Sequence, residues 1–261
     1  MKMKFTQYAK KIFFPVHLIM LSTLPVLFDN WHYISFGIFF YLLTSQFGFE
    51  LGFHRYLTHR SFKMKEWTKR IVLYLGSISG LGSPIFFVCM HRKHHAHADT
   101  DDDPHSPNSG LIKSSLYSTY LGKLEQINVF QARDVMRDSY VMWLDRNFYK
   151  IYWTTFITLL IIWWPIAVFG MIYGTVITIH SFSLLNVVLV HHTDKHDKGY
   201  KNFERKDNST NRRLMSYLLC WYSWGGFLHN NHHHYPNSWH MDHKPGEFDL
   251  GKYFVKLIKS D

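Results

Sequence analysis

Residues 71–90, IVLYLGSISGLGSPIFFVCM, form an apolar run long enough to cross a bilayer, and the side on which every neighbouring segment lies depends on whether it does. The run separates two histidine clusters, HRYLTH at 54–59 and HRKHH at 91–95. If it crossed, the clusters would face opposite sides of the membrane and share nothing. Gly76, Gly80, Gly82 and Pro84 weaken a straight spanning helix and suit a re-entrant or interfacial segment packed against protein. The sequence therefore predicts a non-crossing segment over about 71–90.

Four further runs, 12–28, 33–53, 151–169 and 171–191, approach the ~20 residues that a helix needs to span a ~30 Å hydrocarbon core. The distribution of positive charge tests this topology separately. Of the 29 Lys and Arg residues, 4 precede the first run, 14 lie within 54–150 and 11 follow residue 191, while the short connections at 29–32 and around Gly170 hold none. By the positive-inside rule both termini and all histidine clusters face the cytoplasm. The predicted fold is an all-α, multi-pass integral membrane protein with four transmembrane helices in two hairpins. A cytoplasmic helical cap comprises 54–150 and 192–261, and the whole sequence, 1–261, forms a single domain. The mean hydropathy of −0.15 fits a polar cap joined to an apolar half. The first run lacks a small-residue cleavage site and is read as a retained anchor.

Net charge is +10, but the basic residues are scattered and no nucleic-acid-binding motif appears, so the charge is read as topological and a nucleic-acid partner is excluded. Arg60, Lys63, Lys65, Arg92 and Lys93, beside the clusters, are candidates to meet an anionic lipid headgroup or a phosphate-bearing thioester. Cys89 and Cys220 form neither a CxxC pair nor a disulfide framework, consistent with a reducing, cytoplasm-facing cap.

A third cluster, HNNHH, occupies 229–233. Histidines three or four apart share a helix face, so HRKHH and HNNHH can each offer two or three ligands to one site. Together with HRYLTH they supply His54, His59, His91, His94, His95, His229, His232 and His233. One zinc ion takes three or four ligands, so eight imidazoles imply two metals. Imidazole alone does not select the metal, and no Glu-x-x-His pair supplies the carboxylates of soluble di-iron bundles. His17, His32 and His240 are read as surface or structural. His97, His105 and His234 are read as supporting or surface residues. Asp99, Asp101, Asp102 and Asp103 either orient ligating imidazoles or form a solvated turn ending at Pro104.

At GFHRYLTHRSF, HRKHHAHADTDDDPHSPNSG, YKNFERKDNSTN and GGFLHNNHHHYP the protein resembles the membrane fatty acyl desaturases of the stearoyl-CoA and bacterial delta-9 type. The resemblance implies a di-iron site held by the eight box histidines, a mushroom-like fold of four spans and a cap, and removal of two hydrogens from an acyl chain. The family completes its site with a histidine four residues after an asparagine at the end of the fourth span. Here Asn186 stands in that context, but position 190 is Val190. His191, His192 and His196 remain alternatives for the ninth ligand, and Asn186 for a contact through water.

A C–H bond in the middle of a saturated acyl tail yields only to an oxidant made from dioxygen and reduced metal. The expected partners are a fatty acyl substrate, membrane lipid and an external electron donor, either ferredoxin or a small cytochrome with its reductase, because no haem, flavin or GxGxxG motif is present. Hydroxylation on the same site is the nearest alternative. A metal transporter is disfavoured, since the spans carry few polar groups beyond His17, His180, Asn186 and Glu50.

Overall fold

A computed structural model describes residues 6–110, 114, 128–190 and 199–260, without the side chains of 107 and 186–190. Two long helices, α1 (Ala9–Asp29) and α2 (Trp31–Thr58), open the fold as a hairpin. Helices α3 (Glu66–Ile78) and α4 (Pro84–His97) follow, and two short turns, Val129–Ala132 and Val135–Arg137, lead into α5 (Ser139–Arg146). Next come α6 (Phe148–Ile162) and α7, which runs from Ile166–Ile172 into Tyr173–Val190. Three short helices close the fold: α8 (Arg213–Leu218), α9 (His229–His234) and α10 (Gly251–Ile258). Among the described residues there is no strand, only isolated bridges such as Tyr200 to Asn211.

The apolar run at 71–90 is two helices with a break between them. Gly80 (φ +81°) and Gly82 (φ +120°) adopt left-handed backbone that L side chains disfavour, and Pro84 starts α4 where its missing N–H costs nothing. With 13 and 14 residues, α3 and α4 are each about 20 Å long. The break turns α4 back against the end of α2, and HRKHH thereby meets HRYLTH.

Three helices are long and apolar enough to cross a membrane: Ala9–Asp29, Trp31–Thr58 and Ile166–Leu185. The shorter α6 is apolar as well. The second hairpin turn differs from expectation. It lies at Trp163, and Gly170 is inside α7, against the Phe40 ring. Pro165 explains the shift: it has no N–H to continue α6, and its fixed φ suits the first turn of the next helix, while Trp163 is extended (φ −163°, ψ 104°). Hydropathy could not place the turn, since 159–172 is apolar throughout.

From Tyr41 to Thr58, α2 winds more widely than an α-helix, with i→i+5 hydrogen bonds. His59 N donates to His54 O (3.2 Å) and Thr58 Oγ1 to Phe53 O (2.7 Å). In this winding, residues five apart stack on one face, which aligns the two histidines of HRYLTH. α3 lies against the wide segment where Gly48 and Gly76 let the backbones touch. A Cβ at Gly48 would fall 2.4 Å from Gly76 N.

That contact generates a test. Gly48→Ala must force α2 and α3 apart, at an overpacking cost of about 1–3 kcal/mol. Thermal unfolding in detergent is expected at a lower Tm.

Candidate metal centre

Each histidine cluster is presented by a different local device. The wide turn of α2 supplies His54 and His59; α4 supplies His91 and His95 one turn apart with His94 on the adjacent face; α9 supplies His229, His232 and His233. Their imidazoles converge on two groups. His54, His59, His91 and His232 bring donor atoms within 4.8 Å of one another, and so do His94, His229 and His233. His95 joins the first group, its Nε2 lying 3.0 Å from Nε2 of both His91 and His232. Its ring also stacks on His233 at 4.4 Å, so it stands between the groups.

The nitrogens that meet are the ones that suit ligation. His54 and His232 face each other through Nε2 at 3.0 Å, and His94 and His233 through Nε2 at 3.2 Å. Bonds of about 2.1 Å meeting a common ion at roughly 90–110° place neighbouring donors about 3.0–3.4 Å apart. The Nε2 of His59 is buried with no hydrogen-bond partner, an arrangement that a metal would satisfy. The all-nitrogen donor set therefore fits two metal ions.

Behind the nitrogens stand carboxylates. His54 Nδ1 donates to Glu50 Oε2 (2.8 Å) and His94 Nδ1 donates to Asp103 (3.0 Å). Asp207 Oδ2 lies 3.5 Å from His233 Nδ1. Glu50 and Asp103 each select the tautomer with its proton on Nδ1 and leave Nε2 free to bind, while Asp207 sets a negative charge beside His233 without a hydrogen bond. Burial pushes the Asp103 carboxyl up, but the His94 hydrogen bond and the backbone N–H of Asp99 hold it well below the usual range. Of the four acids in the 99–103 turn, only Asp103 reaches an imidazole. Asp99 instead accepts from Asn208 N (2.5 Å), and Asp101 and Asp102 are exposed.

Burial, followed by the mutual repulsion of neighbouring imidazoles, depresses His59, His91, His95, His229 and His232 well below the ordinary histidine value. Burial also lowers His233, to about 4, although Asp207 opposes the shift. Those six imidazoles are accordingly held toward the neutral form that a metal ligand needs.

Sequence reasoning missed the residues that hold the boxes together. Arg55, inside HRYLTH, is 1% exposed and spends its whole guanidinium. It donates to both oxygens of Asp249 (2.7 and 3.0 Å), to Glu50 Oε1 (3.2 Å), and to the carbonyls of Trp224 and Trp239. The two asparagines of HNNHH are fully buried. Asn230 Oδ1 accepts from the backbone of Asn202 and Phe203, and Asn231 binds Asn202, Asn211 and Glu247. On α2, Gln46 Oε1 accepts from Trp224 N (3.1 Å).

Two of the five basic residues considered for headgroups are committed elsewhere. Arg92 forms a bidentate pair with Asp134 (2.6 and 2.9 Å) and donates to the carbonyls of Leu57 and Thr58; Arg60 also pairs with Asp134. Lys63 and Lys65 are exposed. Among the other histidines, His105 lies tilted against His94 at 4.0 Å, His234 stacks on Phe203 at 4.0 Å, and His17 meets His180 across α1 and α7 (2.9 Å). His191, His192 and His196 lie outside the described residues, as does the side chain of Asn186.

A cavity opens from the histidines toward the apolar helices. His54, His91 and His232 line it together with Tyr41, Phe49 and Leu185. Apolar helices long enough to cross a membrane thus accompany a two-group imidazole site, able to hold metal, beside a mainly apolar cavity. Comparison with known proteins gives the family: the profile described as fatty acid desaturase matches residues 29–243. The protein is 31% identical over 248 residues to an acyl-CoA 5-desaturase of Anemone leveillei, an alignment spanning 94% of this sequence and 74% of that one. It is 30% identical over 246 residues to an sn-2 palmitoyl-lipid 9-desaturase of Nostoc, spanning 92% and 83%. A hex-5-enoyl-[acyl-carrier protein] acetylenase of Moorena producens is 30% identical over 228 residues, spanning 79% and 68%. The protein belongs to the fatty acid desaturase family and is an acyl desaturase.

Two outcomes follow for the purified protein. Arg55→Ala leaves the Asp249 carboxylate buried without its partner and is expected to cost about 3–5 kcal/mol, read as a fall in Tm. The metal-free protein is expected to lose stability as pH falls below about 6.5, because the unfolded state takes up protons that the depressed imidazoles refuse. For His233 the loss extends down to about pH 4. Unfolding scans at pH 7.5 and 5.5 check this, and equal Tm values would contradict it.

Proposed function

We propose that the two imidazole groups hold two iron ions and that the enzyme desaturates a saturated acyl chain lying in the adjoining cavity. The observation that carries this reading is the convergence of the eight box histidines, five of which line a mainly apolar cavity. His54, His59, His91, His95 and His232 would hold one iron, and His94, His229 and His233 the other. His191, His192 or His196, with Asn186 through water, would complete the second group.

Iron in these sites, given dioxygen and electrons, supplies the oxidant that removes two hydrogens from adjacent carbons. Those two hydrogens, with two external electrons and two protons, reduce dioxygen to two waters. The protein's own residues do the rest. Glu50 and Asp103 fix the tautomers of His54 and His94, and Asp207 places a negative charge beside His233. Phe49, Phe87 and Leu185 give the cavity apolar walls that position the substrate and exclude water. Electrons come from outside, from ferredoxin or a small cytochrome with its reductase. Its relatives act on acyl-CoA and acyl-lipid by name, and an acyl thioester or lipid-linked acyl group is the substrate proposed here.

We place four crossings in the membrane, with α6 as the shortest, and both termini and the cap in the cytoplasm. Support comes from the lysine and arginine distribution, the broken 71–90 run, and Trp163 and Trp164 at the end of α6, where indoles favour the interface. At 15 residues α6 is about 22 Å long, which a locally thinned bilayer accommodates.

The test is expression in a desaturase-deficient host beside His94→Ala, with double bonds located by mass spectrometry. A monounsaturated product that disappears in the variant is expected; a hydroxylated product instead would establish the alternative reaction. Asp103→Asn is expected to weaken iron retention about 10–100-fold, measured as metal content after dialysis against a chelator.

A further inference from the structure

Helices α8 and α10 expose apolar side chains that no part of the described protein covers. Leu214 (70% exposed), Leu218 (66%) and Trp221 project from α8 and the turn after it, and Leu257 (80%) and Tyr253 from α10. The two sets are one surface: Tyr217 stacks on Phe248 at 5.2 Å, and Phe248 lies 6.1 Å from Tyr253. An exposed patch of this kind on a folded protein marks a contact surface.

What covers it is indicated by its attachments. Immediately after Trp221, Tyr222 donates to Ser181 O on α7 (2.7 Å) and accepts through its carbonyl from Tyr41 on α2. A Cβ at Gly226 would lie 3.2 Å from Leu185, so this loop abuts the cap end of α7, next to the exposed Leu184. α10 is anchored likewise, with Phe254 stacked on Trp224 at 4.1 Å and edge-on to Phe47 of α2. The apolar face is thus continuous with the outer surface of the long apolar helices. Its charge agrees: Lys256 and Lys259 flank the α10 face, resting over the Trp239 ring, and no carboxylate pairs with either among the described residues.

We infer that the α8–α10 face is seated in the headgroup layer of the bilayer, with its leucines in the acyl boundary and Lys256 and Lys259 on anionic lipid phosphates. A basic amphipathic helix beside an apolar one is the composition that such a layer accepts. The inference rests on the membrane embedding proposed above and goes beyond it. It fixes how deeply the cap sits, and with it the depth of Tyr222 and Ser223, which line the cavity.

The experiment uses the full-length protein in nanodiscs, spin-labelled at Leu214→Cys, Leu218→Cys or Leu257→Cys in a Cys220→Ser background. Collisions with oxygen and with a water-soluble nickel chelate are compared. At all three sites the oxygen-to-nickel ratio is expected to match that at Leu18→Cys in α1 and to exceed that at Lys206→Cys on the cap. High nickel access at the three sites overturns the seating. Low access to both reagents also overturns it, and assigns the face to a protein partner or a second copy. An aqueous reading at Leu18→Cys as well would locate the failure in the membrane embedding itself. In phosphatidylcholine discs, adding phosphatidylglycerol is expected to raise the ratio at Leu257→Cys, and Lys256→Gln with Lys259→Gln is expected to abolish that rise; no rise overturns the phosphate contact.

Discussion

The Arg55–Asp249 ion pair is the constraint on which the rest of the structure depends. A guanidinium taken out of water is tolerable only if its charge and all its N–H groups are answered. Here the answers come from Asp249, Glu50 and two backbone carbonyls of the third-box region. Satisfying one side chain therefore fixes the segment after α9 against the end of α2. The remaining Glu50 oxygen orients His54. Gly225 and Gly251 line the same guanidinium, and a Cβ at either would come within 2.8 Å of it. Stability and ligand geometry are here one network.

Arg92 repeats the logic on the other side of the cluster. Its bidentate pair with Asp134 and its bonds to the carbonyls of Leu57 and Thr58 bind α4 to the last turn of α2. Each of the first two boxes thus carries an arginine that locks its histidines to a distant segment. The buried asparagines of HNNHH serve the third box in the same way, through Asn202, Asn211 and Glu247. What the motifs add to their histidines is a scaffold for holding them.

The box histidines and their clustering were legible because ligand chemistry needs few residue types at short spacing, and the glycines of 71–90 announced the break between α3 and α4. Three things were not. The five-residue spacing of HRYLTH is out of phase on an α-helix, and only the i→i+5 winding of α2 brings His54 and His59 together; residue type carries no sign of that winding. The role of Arg55 depends on a partner far along the sequence, so a local reading takes it for a surface charge. Asp103 could not be singled out from four neighbouring acids, because the choice is made by the turn that buries it.

The separation of 194 residues between Arg55 and Asp249 also constrains how the protein is made. During synthesis the first two boxes, α1, α2 and the turn that returns α4 all exist before any residue of the third box. Throughout that interval Arg55 has Glu50 as a counter-ion but lacks the bidentate Asp249, and five of the eight box imidazoles wait without the other three. Closing so long a loop is a late and entropically costly event. Any metal held by all eight imidazoles can therefore be captured in that arrangement only after the third box has been made, and a polypeptide stopped short of His229 would present five of the eight ligands.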